Sequence, residues 1–241
     1  MLLALGCAAA DHGRVQADGL TAARLRVLEP ALHHPTPAMR RKTVAAVGAQ
    51  GEAAGDLLLE GLVQERDPSV RHQYVQELRG TPGSDVRTAL AALAHDAEEG
   101  IGVRLAALQA LAGHGAAAEL VALASADAVV ARQARLALMV AGGDPALDYF
   151  REAAVRTGVA PALRRELVHG LCAVAVPADL DLLRAFAEDG DAVIRRSAAR
   201  ALGRLGDPAD RPRLARLATR DPDRSVRRSA RIALFRCNTG S

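Results

Sequence analysis

The 241-residue chain contains no tryptophan, and only Tyr74, Tyr149, Phe150, Phe186 and Phe235 are aromatic. A core without large rings must be built from the abundant Ala, Leu and Val, which suit closely packed helices of high intrinsic propensity. Cysteine is equally scarce. Cys7, Cys172 and Cys237 have no paired spacing, which argues against a disulfide framework or a zinc knuckle and fits a reducing, cytoplasmic compartment. No apolar run approaches the roughly 20 residues that span a bilayer, so no transmembrane segment is expected. Lysine is nearly missing, with Lys42 alone against 30 arginines.

Catalytic signatures are missing too. The histidines at 12, 33, 34, 72, 95, 114 and 169 show no HExxH spacing and no partnered cysteine, so no metal site is assigned. His33-His34 precedes Pro35, where adjacent side chains point apart, and reads as a turn or cap. No GxSxG elbow and no glycine-rich phosphate loop occur, and Cys172 reads as a buried structural thiol. No catalytic residue and no cofactor are assigned, and a non-enzymatic role is the preferred expectation.

What the chain does contain is a recurring phrase: an aliphatic residue, usually Arg, then small residues and Leu on helical spacing. It opens at Met39, Val70, Val103, Val130, Leu163, Ile194 and Val226, in steps of 31, 33, 27, 33, 31 and 32 residues. Such a period marks a stacked helical repeat, in which each unit is too small to bury its apolar face alone. In the clearest unit Ile194, Ala198, Ala201, Leu202 and Leu205 form one stripe of a 3.6-residue helix. Val70, Tyr74, Glu77 and Leu78 repeat it with Glu77 discordant, and Ala131 stands where other units have Arg.

Asp67-Pro68 and Asp221-Pro222 read as N-caps followed by first-turn prolines, Asp127 and Asp191 as caps alone, and Gly80, Gly113, Gly142 and Gly206 as stops. A second, more acidic set of helices is expected at about 20–32, 53–65, 84–95, 116–125, 145–156, 177–188 and 208–219. The fold expectation is therefore an all-α α-solenoid of about seven helical hairpins in one domain over residues 20–236, with a tail at 237–241. Residues 1–19 are the remnant of a preceding repeat helix or a processed N-terminus. The opening MLLALGCAAA resembles the end of a lipoprotein signal with Cys7 as its lipidated residue, but no basic segment precedes it.

DPSVRHQYVQEL, EEGIGVRLAALQALAGHG, GDAVIRRSAARALGRLGDP and DPDRSVRRSARIAL resemble HEAT repeats, particularly the short class first associated with phycobilin lyases. The resemblance covers about residues 20 to 236. It implies that the phrase helices line a concave face and that an Asp before each phrase forms an inter-repeat ladder with the Arg inside it. Asp67, Asp127 and Asp191 with Arg71, Arg104, Arg164, Arg195 and Arg227 take those positions. The class includes scaffolds, lyase subunits, DNA glycosylases and a metal-dependent hydroxylase. This chain has no His-Glu pair of the hydroxylase kind and no Trp of the kind the glycosylases set against a base.

Charge is unevenly placed. Residues 191–241 hold 13 Arg and 5 Asp, a net of +8, whereas residues 1–190 are at −5. Arg132, Arg165, Arg196 and Arg228 follow the ladder position, and Arg135, His169, Arg200 and Arg231 lie a turn further on. Together these eight are the candidate partner-binding stripe. The plain alternative is that a GC-rich genome writes arginine regardless of function. The functional expectation is a monomeric scaffold that binds an acidic protein segment along its basic C-terminal half. A nucleic-acid-binding or repair protein is the second reading, and an accessory subunit of a bilin lyase-type enzyme the third.

Overall fold

The computed structural model describes residues 20–126 and 128–239; Cys7, His12 and Asp127 lie outside that set. Among the described residues there are fourteen helices and no strand. Contacts divide the chain into two compact units between Ala141 and Gly142, where the sequence reading expected one domain.

The first unit holds helix α1 at 20–28, α2 (Pro37–Gly48), α3 (Gly55–Gln64), α4 (Pro68–Leu78), α5 (Ser84–His95), α6 (Ile101–Gly113), α7 (Ala117–Ala126) and α8 (Ala128–Ala141). The phrase helices α2, α4, α6 and α8 pack in succession as one layer, and α3, α5 and α7 pack behind them. The second unit holds α9 (Gly143–Ala154), α10 (Pro161–Val174), α11 (Leu180–Phe186), α12 (Ala192–Leu205), α13 (Arg211–Arg220) and α14 (Arg224–Thr239). Here α10, α12 and α14 are the phrase layer, and α9, α11 and α13 each back one of them. α14 runs to Thr239 and Cys237 is buried, so the expected tail begins as helix.

Local chemistry explains where these helices start. Asp67 Oδ1 accepts from the backbone N–H of Ser69 at 2.9 Å and of Val70 at 3.2 Å, capping α4 ahead of Pro68 at the first turn. Asp191 caps α12 through Val193 at 2.8 Å. The cap of α14 is Asp223, which accepts from Ser225 at 2.7 Å and Val226 at 3.1 Å; the reading that placed it at Asp221 is two residues early. His34 Nδ1 accepts from Thr36 N at 3.1 Å, closing the turn before α2. α12 stops at Gly206, whose φ of 74° is the left-handed conformation that glycine takes without a Cβ clash.

The expected stripes form the core. Val70, Tyr74 and Leu78, then Val103, Ala107 and Leu111, and in the second unit Ile194, Ala198, Leu202, Val226 and Ala230 are all buried. Full burial of each Leu or Val stabilises by about 1.5–3 kcal/mol, so neighbouring helices share the gain. Small residues let the layers approach: a Cβ on Gly203 would overlap Ala233, and one on Gly170 would overlap the Phe150 ring. The discordant Glu77 follows the same logic. Its stem lies over Gly48, and its Oε1 accepts from Gln73 Nε2 at 2.6 Å.

Candidate macromolecule-binding face

Two carboxylates spaced two residues apart organise the start of a phrase helix. Arg40 reaches Glu65 through Nε at 2.6 Å and Nη2 at 2.9 Å, and Arg195 reaches Asp221 at 2.8 and 3.0 Å. Arg71 Nε meets Glu99 at 2.8 Å, and Arg164 Nη1 meets Asp189 at 3.2 Å. The ladder carboxylates are therefore Glu65, Glu99, Asp189 and Asp221, a correction to the reading that gave Asp67 and Asp191 this task. In three repeats the cap residue holds the ladder carboxylate with its own N–H: Asp67 N to Glu65 at 2.8 Å, Asp191 N to Asp189 at 2.9 Å, and Asp223 N to Asp221 at 2.8 Å. The first acid receives the preceding repeat's arginine and the second caps the helix.

The other ladder candidates bond differently. Buried Arg104 donates to Ala94 O at 3.1 Å, and Arg227 to Asp221 O at 2.6 Å and Pro222 O at 2.9 Å. Electrostatics follow the contacts. The Arg195 bond holds Asp221 below the usual carboxylate range, and Arg164 does the same to Asp189. Burial alone would raise Glu65, but the bond from Arg40 and the N–H groups of Asp67 and Arg66 outweigh it, and its net shift is downward.

On the phrase layer of the second unit, α10, α12 and α14 enclose an open groove of about 400 Å³. Its apolar part is Cys172, Ala173, Ala201, Ile232 and Ala233; its polar part is His169, Ser197, Arg200, Arg204, Ser229 and Arg236. No carboxylate lines it, and α12 and α14 contain none at all. Arg204 Nη2 donates to the carbonyls of Cys172 at 3.1 Å and Ala175 at 2.9 Å, satisfying the C-terminal end of α10. Partial desolvation, then the charges of Arg200 and Arg196, push His169 below the ordinary imidazole range. Burial pushes the Cys172 thiol up to about 12, so it remains a thiol at neutral pH.

Of the eight residues of the expected stripe, the groove takes His169 and Arg200. Arg196 is half-buried beside His169, Arg165 is paired with Asp191 at 2.6 Å, and Arg228 and Arg231 are exposed on α14 outside the groove wall. Arg132 and Arg135 belong to α8 of the first unit, where Arg135 Nη1 donates to Ala124 O at 3.2 Å. Helix geometry accounts for the split. Counting from Ile194 and turning about 100° per residue, the core stripe centres near about 25°, positions 3, 6 and 10 near about 275°, and positions 2 and 5 near about 200° and 140°. The groove is built from positions 3, 6 and 10. Arg204 and Arg236, both at position 10, were left out of the stripe although their spacing from Arg200 and Ile232 puts them on the groove face.

The matching positions of α6 and α8 in the first unit carry no charge. There a groove of about 340 Å³ is lined by Leu105, Leu108, Ala112, Leu136 and Val140, with Arg79 the one cation in its wall.

A family model of HEAT repeats matches residues 147–234. Human deoxyhypusine hydroxylase, solved in complex with glycerol, is similar at 18% identity and a TM-score of 0.46, covering 92% of this chain and 98% of that one. An archaeal HEAT-like repeats protein from Thermococcus onnurineus NA1 is similar at 16% identity and a TM-score of 0.49, covering 84% and 97%. No curated protein matches in sequence. Residues 147–234 match HEAT repeats, and the described residues form an all-α fold of paired helices.

Proposed function

We propose that this chain is a non-enzymatic scaffold whose second unit captures an acidic protein segment along α10, α12 and α14. The observation that supports this reading is a groove walled by Arg200, Arg204, Arg236 and His169 with no carboxylate in its lining. Most other arginines of the unit already have acidic partners: Arg151 with Asp179, Arg164 with Asp189, Arg184 with Asp210 and Arg195 with Asp221. Those pairs serve the fold. Arg200 and Arg204 have no ion pair among the described residues, and their charge draws acidic ligands over a screening length of about 8 Å at physiological salt.

The test is fluorescence anisotropy of the full chain with a labelled oligoglutamate peptide. Arg200→Glu with Arg236→Glu is expected to weaken binding roughly tenfold at 0.15 M salt, since two exposed charge contacts are each worth about 0.2–1 kcal/mol and reversal adds repulsion. Unchanged binding would remove the groove. Tighter binding of duplex DNA, with affinity falling steeply between 0.05 and 0.2 M salt, would replace the acidic protein with a nucleic acid.

A further inference from the structure

We infer that the acidic group seated in the groove is the phosphoryl group of a phosphorylated serine or threonine side chain of the partner. This rests on the basic-face reading above and narrows it.

The argument begins at the floor. Ser197 and Ser229 occupy the same repeat position on α12 and α14, both line the groove, and both are only 5% exposed. Ser197 has the usual helical outlet, donating to Val193 O at 3.0 Å, with His169 Nδ1 at 3.4 Å. Ser229 has no hydrogen-bond partner among the described residues. Its Oγ is not fully buried, and so it faces the open groove, a space that a ligand oxygen can occupy.

The walls specify the charge. Arg204 is held by its two carbonyl bonds through Nη2 alone, so its other guanidinium nitrogens remain available in a fixed place. Arg200 is exposed and has no ion pair among the described residues. A carboxylate, with one charge and two oxygens, is satisfied by one arginine fork. A phosphoryl group carries a charge of about −1.5 to −2 at pH 7 and three acceptor oxygens, enough for two guanidinium groups and a floor hydroxyl at once. The depth matters as well. A group that reaches a serine this buried has to stand at the end of a side chain, whereas a duplex presents its phosphates along a convex rod. Ile232 and Ala233 beside the site supply apolar contact for the flanking peptide.

The experiment uses the full chain and three labelled nonapeptides that differ only at the central residue: phosphoserine, glutamate or serine. The phosphoserine form is expected to bind at least about tenfold more tightly than the glutamate form, by the added charge and acceptors. Ser229→Ala and Arg200→Gln are each expected to remove most of that difference while leaving binding of oligoglutamate within roughly twofold for Ser229→Ala. Circular dichroism melts confirm that both variants are folded. Equal binding of the phosphoserine and glutamate forms, with oligoglutamate still captured, overturns the phosphoryl assignment and leaves the basic face standing. Loss of oligoglutamate binding as well overturns both. Inorganic phosphate binding as tightly as the phosphopeptide, or duplex DNA displacing it and binding more tightly, overturns the assignment in favour of a free anion or a nucleic acid.

Discussion

Arg195 and Asp221 show how one side-chain pair ties successive repeats. The carboxylate is 2% exposed and meets two guanidinium nitrogens, while the third arm of the arginine donates to the carbonyls of Asp189 and Gly190. Because the pair holds the Asp221 pKa down, its stabilising contribution is present above the unfolded value, near about 3.9, and is lost as pH falls through the lower folded value. Asp221→Asn is therefore expected to cost about 1.5–3 kcal/mol in urea unfolding at pH 7 and to converge on the parent protein as pH falls through the lowered Asp221 value. A pH-independent difference would contradict this. The ladder was only half legible in sequence. The arginines could be named, but DPD and DGD each offer two acids. Which one caps and which one receives the arginine depends on where the backbone turns into the helix.

At the scale of the helix, the apolar stripe was readable because its 3.6-residue period is imposed by packing in every unit. The candidate face was less so: an exposed arginine at position 2 and one at position 10 look alike in composition, and only the angle about the helix axis separates them. Arg165 and Arg228 point away from the groove, while Arg204 and Arg236 line it. The stripe also carries a stability prediction. Leu202 is fully buried in α12, which packs against both α10 and α14. Leu202→Asp places an unpaired charge there and is expected to cost at least about 3–5 kcal/mol. Hydrogen exchange should then lose protection in α10 and α14 as well as α12, since repeats are stabilised by their neighbours. Loss confined to α12 would contradict that coupling.

At the scale of the chain, the repeat period and the all-α class were visible at once, and so was the charge difference between residues 1–190 and 191–241. The division after Ala141 was not anticipated. It falls just after the one phrase helix with Ala131 in the arginine position, and residues 156–160 before α10, RTGVA, supply no carboxylate for such a rung. The charge difference now has a structural counterpart: equivalent groove positions are Leu136 and Val140 in the first unit and Arg200, Arg204 and Arg236 in the second. The most direct measurement is hydrogen exchange of the full chain with and without a saturating oligoglutamate peptide. Slowed exchange in α10, α12 and α14 with α2, α4 and α6 unchanged is the predicted result. Protection confined to the first unit, or none in either, would contradict the assignment of the basic face as the binding surface.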